Sequence, residues 1–374
     1  AYTISAKHIK LTSDGGPHTI THRSGHIGSL FEVTGGSLVL ENITIRGNGS
    51  DGTSAIKVSS KLTMGDNAVV KDFHSLTTGG AVYIAGGTFN MEGGSITGNT
   101  AALGGGVFVN GTFVMSGAAR IAGNDVYLVM GTYITTGALS GSGVVAVITP
   151  QVYAGSPQVL SNGVQRNRFS VTPDGISYYY INSSGVLVPA TGGIGPGEIL
   201  YGTDNADVIT ISSYIDGTID AGDGDDTITV GGMNPSSIIN AGNGNNTITI
   251  SAVTSGTITA GDGNDSITIN DWFQNGTITA GPGADTINIR YFSGGTIIDV
   301  GADTVMDTVI IREDSNSILE MRNFDPAHDK LKLKTGWSAA LVGGTVEVTV
   351  AGSGKIRLTG VTNTSYGSYI ELYP

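Results

Sequence analysis

Aspartate and asparagine recur in this chain at a spacing that could hold cations. Asp207, Asp226, Asn246, Asp265, Asp285 and Asp307 are 19, 20, 19, 20 and 22 residues apart. Four of them close the runs Ala221-Gly-Asp-Gly-Asp-Asp226, Ala241-Gly-Asn-Gly-Asn-Asn246, Ala260-Gly-Asp-Gly-Asn-Asp265 and Ala280-Gly-Pro-Gly-Ala-Asp285. If each period is one coil of a stacked structure, equivalent carboxylates lie about 4.8 Å apart. Like charges at that distance repel by ~1 kcal/mol in water and by ~3–4 kcal/mol at an effective dielectric near 20. Several such contacts would consume much of an ordinary domain's stability, so counter-ions are expected between the rungs. Ca²⁺ suits the pattern, because carboxylates and the carbonyls of Gly-rich turns supply hard oxygens in flexible number. The alternative is an Asn/Asp hydrogen-bond ladder without metal, which Asn246 could form in either case.

The elements that must position these turns follow from the residues between them. After each turn comes an alternating run such as Thr227-Ile-Thr-Val230 or Thr247-Ile-Thr-Ile250. A second short strand precedes the next turn: Gly217–Asp220, Ser237–Asn240, Gly256–Thr259, Gly276–Thr279 and Gly295–Ile298. Side chains alternate faces along a strand, so isoleucines point inward and threonines outward. A period near 19 residues leaves no room for a helical crossover. It fits one flattened coil of a two-sheet parallel β-solenoid.

Residues 201–333 resemble the RTX (repeats-in-toxin) Ca²⁺-binding β-roll, through the recurring Gly-x-Gly-x-Asp-x-hydrophobic turn and the stretch Met321-Arg-Asn-Phe-Asp-Pro-Ala-His-Asp-Lys-Leu-Lys-Leu333. The resemblance implies that Asp207, Asp226, Asn246, Asp265 and Asp285 bridge ions between neighbouring coils, with Asp223, Asp225 and Asp262 adding charge. The candidate Ca²⁺ set also includes Asp204, Asn243 and Asp307. Two departures stand out. The motif occurs once per coil, so only one edge carries it, and the uncharged Asn243-Gly-Asn-Asn246 turn should weaken its neighbours. The strongest sites are expected at Asp207/Asp226 and Asp265/Asp285. Residues 312–374 are expected to cap the open end of this solenoid, and the resemblance also suggests a part in secretion.

The first half repeats differently. Leu40, Met64, Met91 and Met115 are 24, 27 and 24 residues apart, each within an aligned strand followed by a Gly-Asn or related turn. Three strand-like runs per unit predict a three-faced right-handed β-helix. Gly79-Gly-Ala-Val-Tyr-Ile84 and Gly104-Gly-Gly-Val-Phe-Val109, each followed by Phe-x-Met, resemble the polymorphic outer-membrane protein repeats of bacterial surface proteins over residues 28–130. The expected organisation is a right-handed β-helix at 1–150, a non-repetitive β segment and linker at 151–197, the Ca²⁺-binding roll at 198–311, and the β cap at 312–374. The fold class is all-β throughout.

Composition bounds the function. The 374 residues carry a net charge of −13 and no cysteine, so neither disulfides nor thiolate metal sites are available. Residues 198–311 hold fifteen acids and one base, Arg290, which leaves the remainder at about +1. Nucleic acid is therefore not expected as a partner. No run of apolar residues is long enough for a transmembrane helix. No signal peptide is visible, and Ala1-Tyr2-Thr3 fits either a processed terminus or the start of a fragment.

Lys57, Lys61, Asp66, Lys71, Asp72 and His74 are the nearest set to the carboxylate–base clusters of carbohydrate-active β-helices. They are spread over several coils, and a solvated charged face is expected. His8, His18, His22 and His26 suggest a polar N-terminal cap rather than a metal site. Thr-x-Thr doublets resemble ice-binding arrays, but Asp220, Asn240, Asn288 and Ile298 interrupt them. The resulting expectation is an extracellular or surface-exposed bacterial protein of structural or adhesive type, with no catalytic residues. Partners would be Ca²⁺, another copy bound head-to-tail or edge-to-edge, or a glycan or host-surface ligand. A carbohydrate-active enzyme, a polysaccharide lyase or an epimerase, is the alternative.

Overall fold

Alternating burial marks most of the strands, as in Ser37–Glu41, Lys61–Met64 and residues 286–289. In the computed structural model, described for residues 1–16, 18–23, 28–49, 52–313, 317–334, 336–350 and 354–372, parallel strands stack coil upon coil. Among the described residues there is no α-helix. The chain divides into two units: Ala1–Gly175 with Tyr179–Val188, and Ile176–Tyr178 with Pro189–Pro374.

The first unit has three stacks of parallel strands. One runs from Tyr2–Ile4 through Phe31–Val33, Ile56–Val58 and Val82–Met91 to Phe169–Val171. A second joins His8–Thr12, Ser37–Glu41 and Lys61–Met64 to the later halves of Val82–Met91 and Val107–Gly117. The third comprises His18–Thr21, Ile43–Arg46, Val69–Lys71, Ser95–Thr97 and Arg120–Ala122. Leu40, Met64, Met91 and Met115 stand in one register column and are fully buried, as their spacing predicts. Burying such side chains contributes ~1.5–3 kcal/mol each before the entropic cost of ordering them. The Gly-Asn turns are stapled by side chains: Asn99 Oδ1 accepts from the Phe73 N–H at 3.0 Å, and its Nδ2 donates to the Val70 carbonyl at 3.0 Å.

The second unit has two sheets facing each other. The ten-stranded sheet runs from Ile199–Tyr201 through Thr218–Asp220, Ile238–Asn240, Thr257–Thr259 and Thr277–Thr279 to Gly295–Asp299 and Ile318–Arg322. The eight-stranded sheet comprises Val208–Ile215, Thr227–Met233, Thr247–Val253, Ser266–Gln274, Thr286–Ser293, Thr308–Ile311, Lys330–Leu333 and Ile370–Leu372. Columns of Ile fill the space between them: Ile209, Ile228, Ile248, Ile267 and Ile287 form one, all at most 1% exposed. β-Branched side chains on both inner faces account for the strand preference of these short segments.

Two sequence expectations need correction or extension. Ile298 does not interrupt the outward threonines: it pairs in register with Ile278 and is fully buried, while Ile297 and Asp299 hold the outward positions. The Gly294-Gly295 pair moves the register by one residue, so Thr296 points inward. Its hydroxyl is satisfied there by donating to the carbonyls of Ser293 (2.8 Å) and Phe273 (3.2 Å). Coil stacking also continues beyond Ile311, because Ile318–Arg322 and Lys330–Leu333 add parallel strands to the two sheets. Only then does an antiparallel meander, Trp337–Val342, Thr345–Val350 and Lys355–Leu358, close the ten-stranded sheet.

Candidate metal centre

The turn glycines come first, because they decide how closely the coils approach. Gly242 has φ +88°, and a Cβ there would lie 1.6 Å from the Gly222 carbonyl oxygen of the preceding coil. Only glycine fits such an approach. The same crowding recurs between Gly261 and Gly242 and between Gly281 and Gly261. Main-chain oxygens are thus crowded along one edge of the second unit.

Against those oxygens the sixth-position side chains form a continuous ladder. The N–H of Asp207 donates to Asp226 Oδ1 (2.8 Å), Asp226 to Asn246 Oδ1 (3.0 Å), and Asn246 to Asp265 Oδ1 (2.7 Å). Asp265 donates to Asp285 Oδ1 (2.8 Å), Asp285 to Asp307 Oδ1 (2.8 Å), and Asp307 to Asp329 Oδ1 (3.0 Å). All seven side chains are at least 93% buried. The structure therefore brings together Asp207, Asp226, Asn246, Asp265, Asp285 and Asp307, and adds Asp329. That residue precedes Lys-Leu-Lys-Leu as Asp307 precedes Thr-Val-Ile-Ile, a signal that sequence reading could have used.

Asn246 shows what surrounds the second atom of each side chain. Its Oδ1 is engaged by the ladder, so its Nδ2 position is fixed. That Nδ2 donates to the carbonyls of Gly242, Gly244 and Ala260, each at 3.2 Å. Repeat equivalence puts Gly222, Gly224 and Ala241 around Asp226, and Gly261, Gly263 and Ala280 around Asp265. There the side chain offers an oxygen instead of a donor. Asp226, Asp265 and Asp285 each have a buried Oδ2 with no hydrogen-bond partner among the described residues. A carboxylate oxygen facing carbonyl oxygens needs a proton or a cation between them. Burial accordingly pushes the carboxyl of Asp226 up to about 6, opposed by the backbone N–H of Asp207. Burial likewise lifts Asp265 to about 6, and Asp285 and Asp307 to about 7.

The donor set fits Ca²⁺. One carboxylate oxygen plus several neutral carbonyls is hard, all-oxygen and not constrained to a single geometry. Among the described residues no three His, Asp or Glu side chains converge, so most ligands at a rung would be main-chain atoms. The ends of the ladder are met by protein donors. Asp207 accepts from the Thr203 N–H (2.6 Å) and the Tyr178 hydroxyl (2.8 Å), and Asp329 Oδ2 accepts from the Asp325 N–H (2.7 Å). Burial, then the Asp207 hydrogen bond, raises the Tyr178 phenol to about 12.

The remaining candidates lie outside the ladder. Asp204, Asp223, Asp225, Asn243 and Asp262 are exposed on the outer side of the turns. Asn243 Nδ2 donates to Asp223 Oδ1 (2.9 Å), and Asp225 Oδ1 accepts from the Asn245 N–H (2.7 Å). In the first unit Lys57, Lys61 and Lys71 sit on three different stacks. Asp72 pairs with Arg46 at 3.0 Å, and His74 Nδ1 meets Thr100 Oγ1 at 2.5 Å. His8 contacts Ser37, His18 is exposed and His22 is buried beside Phe73; His26 lies outside the described residues.

Compared with known proteins, the chain matches no family model and no curated sequence. What stands is a parallel β-solenoid with an acidic, oxygen-lined edge.

Proposed function

We propose that this chain is an extracellular bacterial protein of structural or adhesive type, with Ca²⁺ of the RTX kind stapling the coils of its second unit. The first unit would be a rigid β-helical stalk of the surface-protein type. The observation carrying this reading is the contrast at one edge. Where the side chain is Asn246, three carbonyls receive hydrogen bonds; where it is Asp226, Asp265 or Asp285, a buried oxygen faces the equivalent carbonyls without a partner. Ca²⁺ bound there would neutralise the carboxylates and join adjacent coils. No step of a reaction is implied, and the ions would act on stability alone.

The test is thermal unfolding followed by circular dichroism in Ca²⁺ and in chelator. A marked rise in melting temperature with Ca²⁺, half-saturating at a defined concentration, is expected. Equal melting in both buffers would remove the cation from the account. A screen for polysaccharide depolymerisation that returned turnover would replace the structural reading with an enzymatic one.

A further inference from the structure

The eight-stranded sheet of the second unit carries two irregularities, and each presents an exposed aromatic ring. Between consecutive inward residues, Val230 to Met233, Ile250 to Val253 and Ile289 to Phe292, two residues intervene. Between Ile211 and Ile215, and between Ile269 and Phe273, there are three. The register shifts at those places, as a β-bulge requires. The residue pushed outward at the end of each bulge is Tyr214 in one strand, 49% exposed, and Trp272 in the other, 41% exposed.

These two rings share one column with Gly232, Ala252 and Tyr291. Trp272 stacks on Tyr291 with centroids 4.8 Å apart, and the Arg290 guanidinium lies 5.0 Å from the Tyr291 centroid. At the other end the Tyr214 ring covers Gly232, where a Cβ would fall 2.4 Å from a ring carbon. Two positions of the column carry no ring of their own: Gly232 is covered by Tyr214, and Ala252, between it and Trp272, is half-buried. The bulge beneath Trp272 is fixed by Arg312, whose Nη2 donates to the Ile269 carbonyl at 3.0 Å. Bulges commonly re-aim side chains at functional places.

We infer that the Ala252 gap, bracketed by Tyr214 and Trp272, is a subsite for one pyranose ring of a neutral polysaccharide that crosses the solenoid at this coil. The proposal rests on the adhesive reading and names its ligand class. The C–H-lined face of a pyranose packs on the π face of an aromatic ring, as other weakly positive groups do. Ser251, Asn270 and Asp271, exposed beside the gap, offer donors and acceptors for sugar hydroxyls. The fifteen acids against one base in residues 198–311 disfavour polyanions, which selects a neutral glycan over an acidic one or nucleic acid.

The test uses the full chain in Ca²⁺. The chain has two tryptophans, so Trp337→Phe leaves Trp272 as the only tryptophan, excited selectively at wavelengths where tyrosine does not absorb. Titration with cellohexaose and with chitohexaose should give a saturable change in Trp272 emission with at least one of them. Ala252→Tyr fills the gap; it should keep or raise the melting temperature and weaken binding at least tenfold. Tyr214→Ala should weaken binding about tenfold. Absence of any emission change with both hexaoses, or unchanged binding in Ala252→Tyr, overturns the subsite. An emission change that depends on protein concentration without sugar would assign the gap to self-association and also overturn it. Failure of the wider reading shows separately, in the Ca²⁺-dependent melt, which these variants leave intact.

Discussion

Replacing Asp265 by Asn should make the metal-free protein more stable and the Ca²⁺-loaded protein less so. The ladder already contains the reference state, because Asn246 keeps the Oδ1 contact and turns its Nδ2 toward three carbonyls. In Asp265 that second atom is a buried oxygen without a partner, and burial lifts the carboxyl from 3.8 to about 6. A rise of about two units corresponds to ~3 kcal/mol against the ionised form above pH 7. Asp265→Asn removes that penalty and keeps the shape of the side chain. For a unit of this size ~3 kcal/mol amounts to about 6–12 °C in melting temperature. The assay is thermal unfolding at pH 8, in chelator and in millimolar Ca²⁺, followed by tryptophan emission. Trp272 and Trp337 both belong to the second unit, so the signal reports that unit alone. The expected result is Asn above Asp in chelator and Asp above Asn in Ca²⁺. A lower or unchanged melting temperature of Asp265→Asn in chelator would refute the claim that the carboxylate oxygen is frustrated.

Three further outcomes follow from the same geometry. The pKa shifts set a sign: a carboxyl whose folded value is raised binds more protons folded than unfolded, so stability falls as pH rises from the unfolded value through the folded one. With Asp226, Asp265, Asp285 and Asp307 raised to about 6 or 7, the metal-free second unit should lose stability between about pH 4 and pH 7–8. Saturating Ca²⁺ should flatten that slope in melts recorded across the range, and a metal-free slope of opposite sign would contradict the burial argument. Gly242→Ala should cost ~3 kcal/mol or more, through the forced left-handed backbone and the contact with the Gly222 carbonyl; urea unfolding measures it. In the first unit Asn99→Ala leaves the buried Phe73 N–H and Val70 carbonyl without their partner, which should cost ~2–3 kcal/mol in the same experiment.

The repeat and its inward residues were legible because the strand directly after each aspartate turn alternates inward and outward residues. Ile228, Ile248, Ile267 and Ile287 fall in one column without exception. The aspartate ladder was equally legible, since Asp226, Asn246, Asp265 and Asp285 each stand directly before a Thr-Ile or Ser-Ile pair. Register after an irregular turn was not. Gly295-Thr-Ile-Ile298 looks like Gly276-Thr-Ile-Thr279, yet the structure pairs Ile298 with Ile278, and the two hydrogen bonds of the buried Thr296 hydroxyl make that shift tolerable. Local similarity cannot reveal this, because the compensating carbonyls belong to Phe273 and Ser293. Asp329 escaped notice for a related reason: its loop, Asp325-Pro-Ala-His, replaces the Gly-x-Gly turn while keeping the ladder bond. The bulges under Tyr214 and Trp272 are single-residue insertions in otherwise regular coils. They become visible only when inward residues are matched strand by strand.

The aspartate ladder also has a polarity. From Asp207 to Asp307 every rung donates its N–H to the side chain of the coil that follows it in sequence, and Asp329 is the last acceptor. A turn therefore cannot complete its own hydrogen bonding until its successor is in place, whereas the last acceptor is already anchored by Asp325. The expected kinetic consequence is that the C-terminal coils seed folding and order propagates backwards along the chain, each finished coil offering a template to the one before it. A chain lacking residues 312–374 would keep the rungs from Asp207 to Asp307 but lose Asp329, the acceptor of the last one. Its folding rate, more than its final stability, should show the loss.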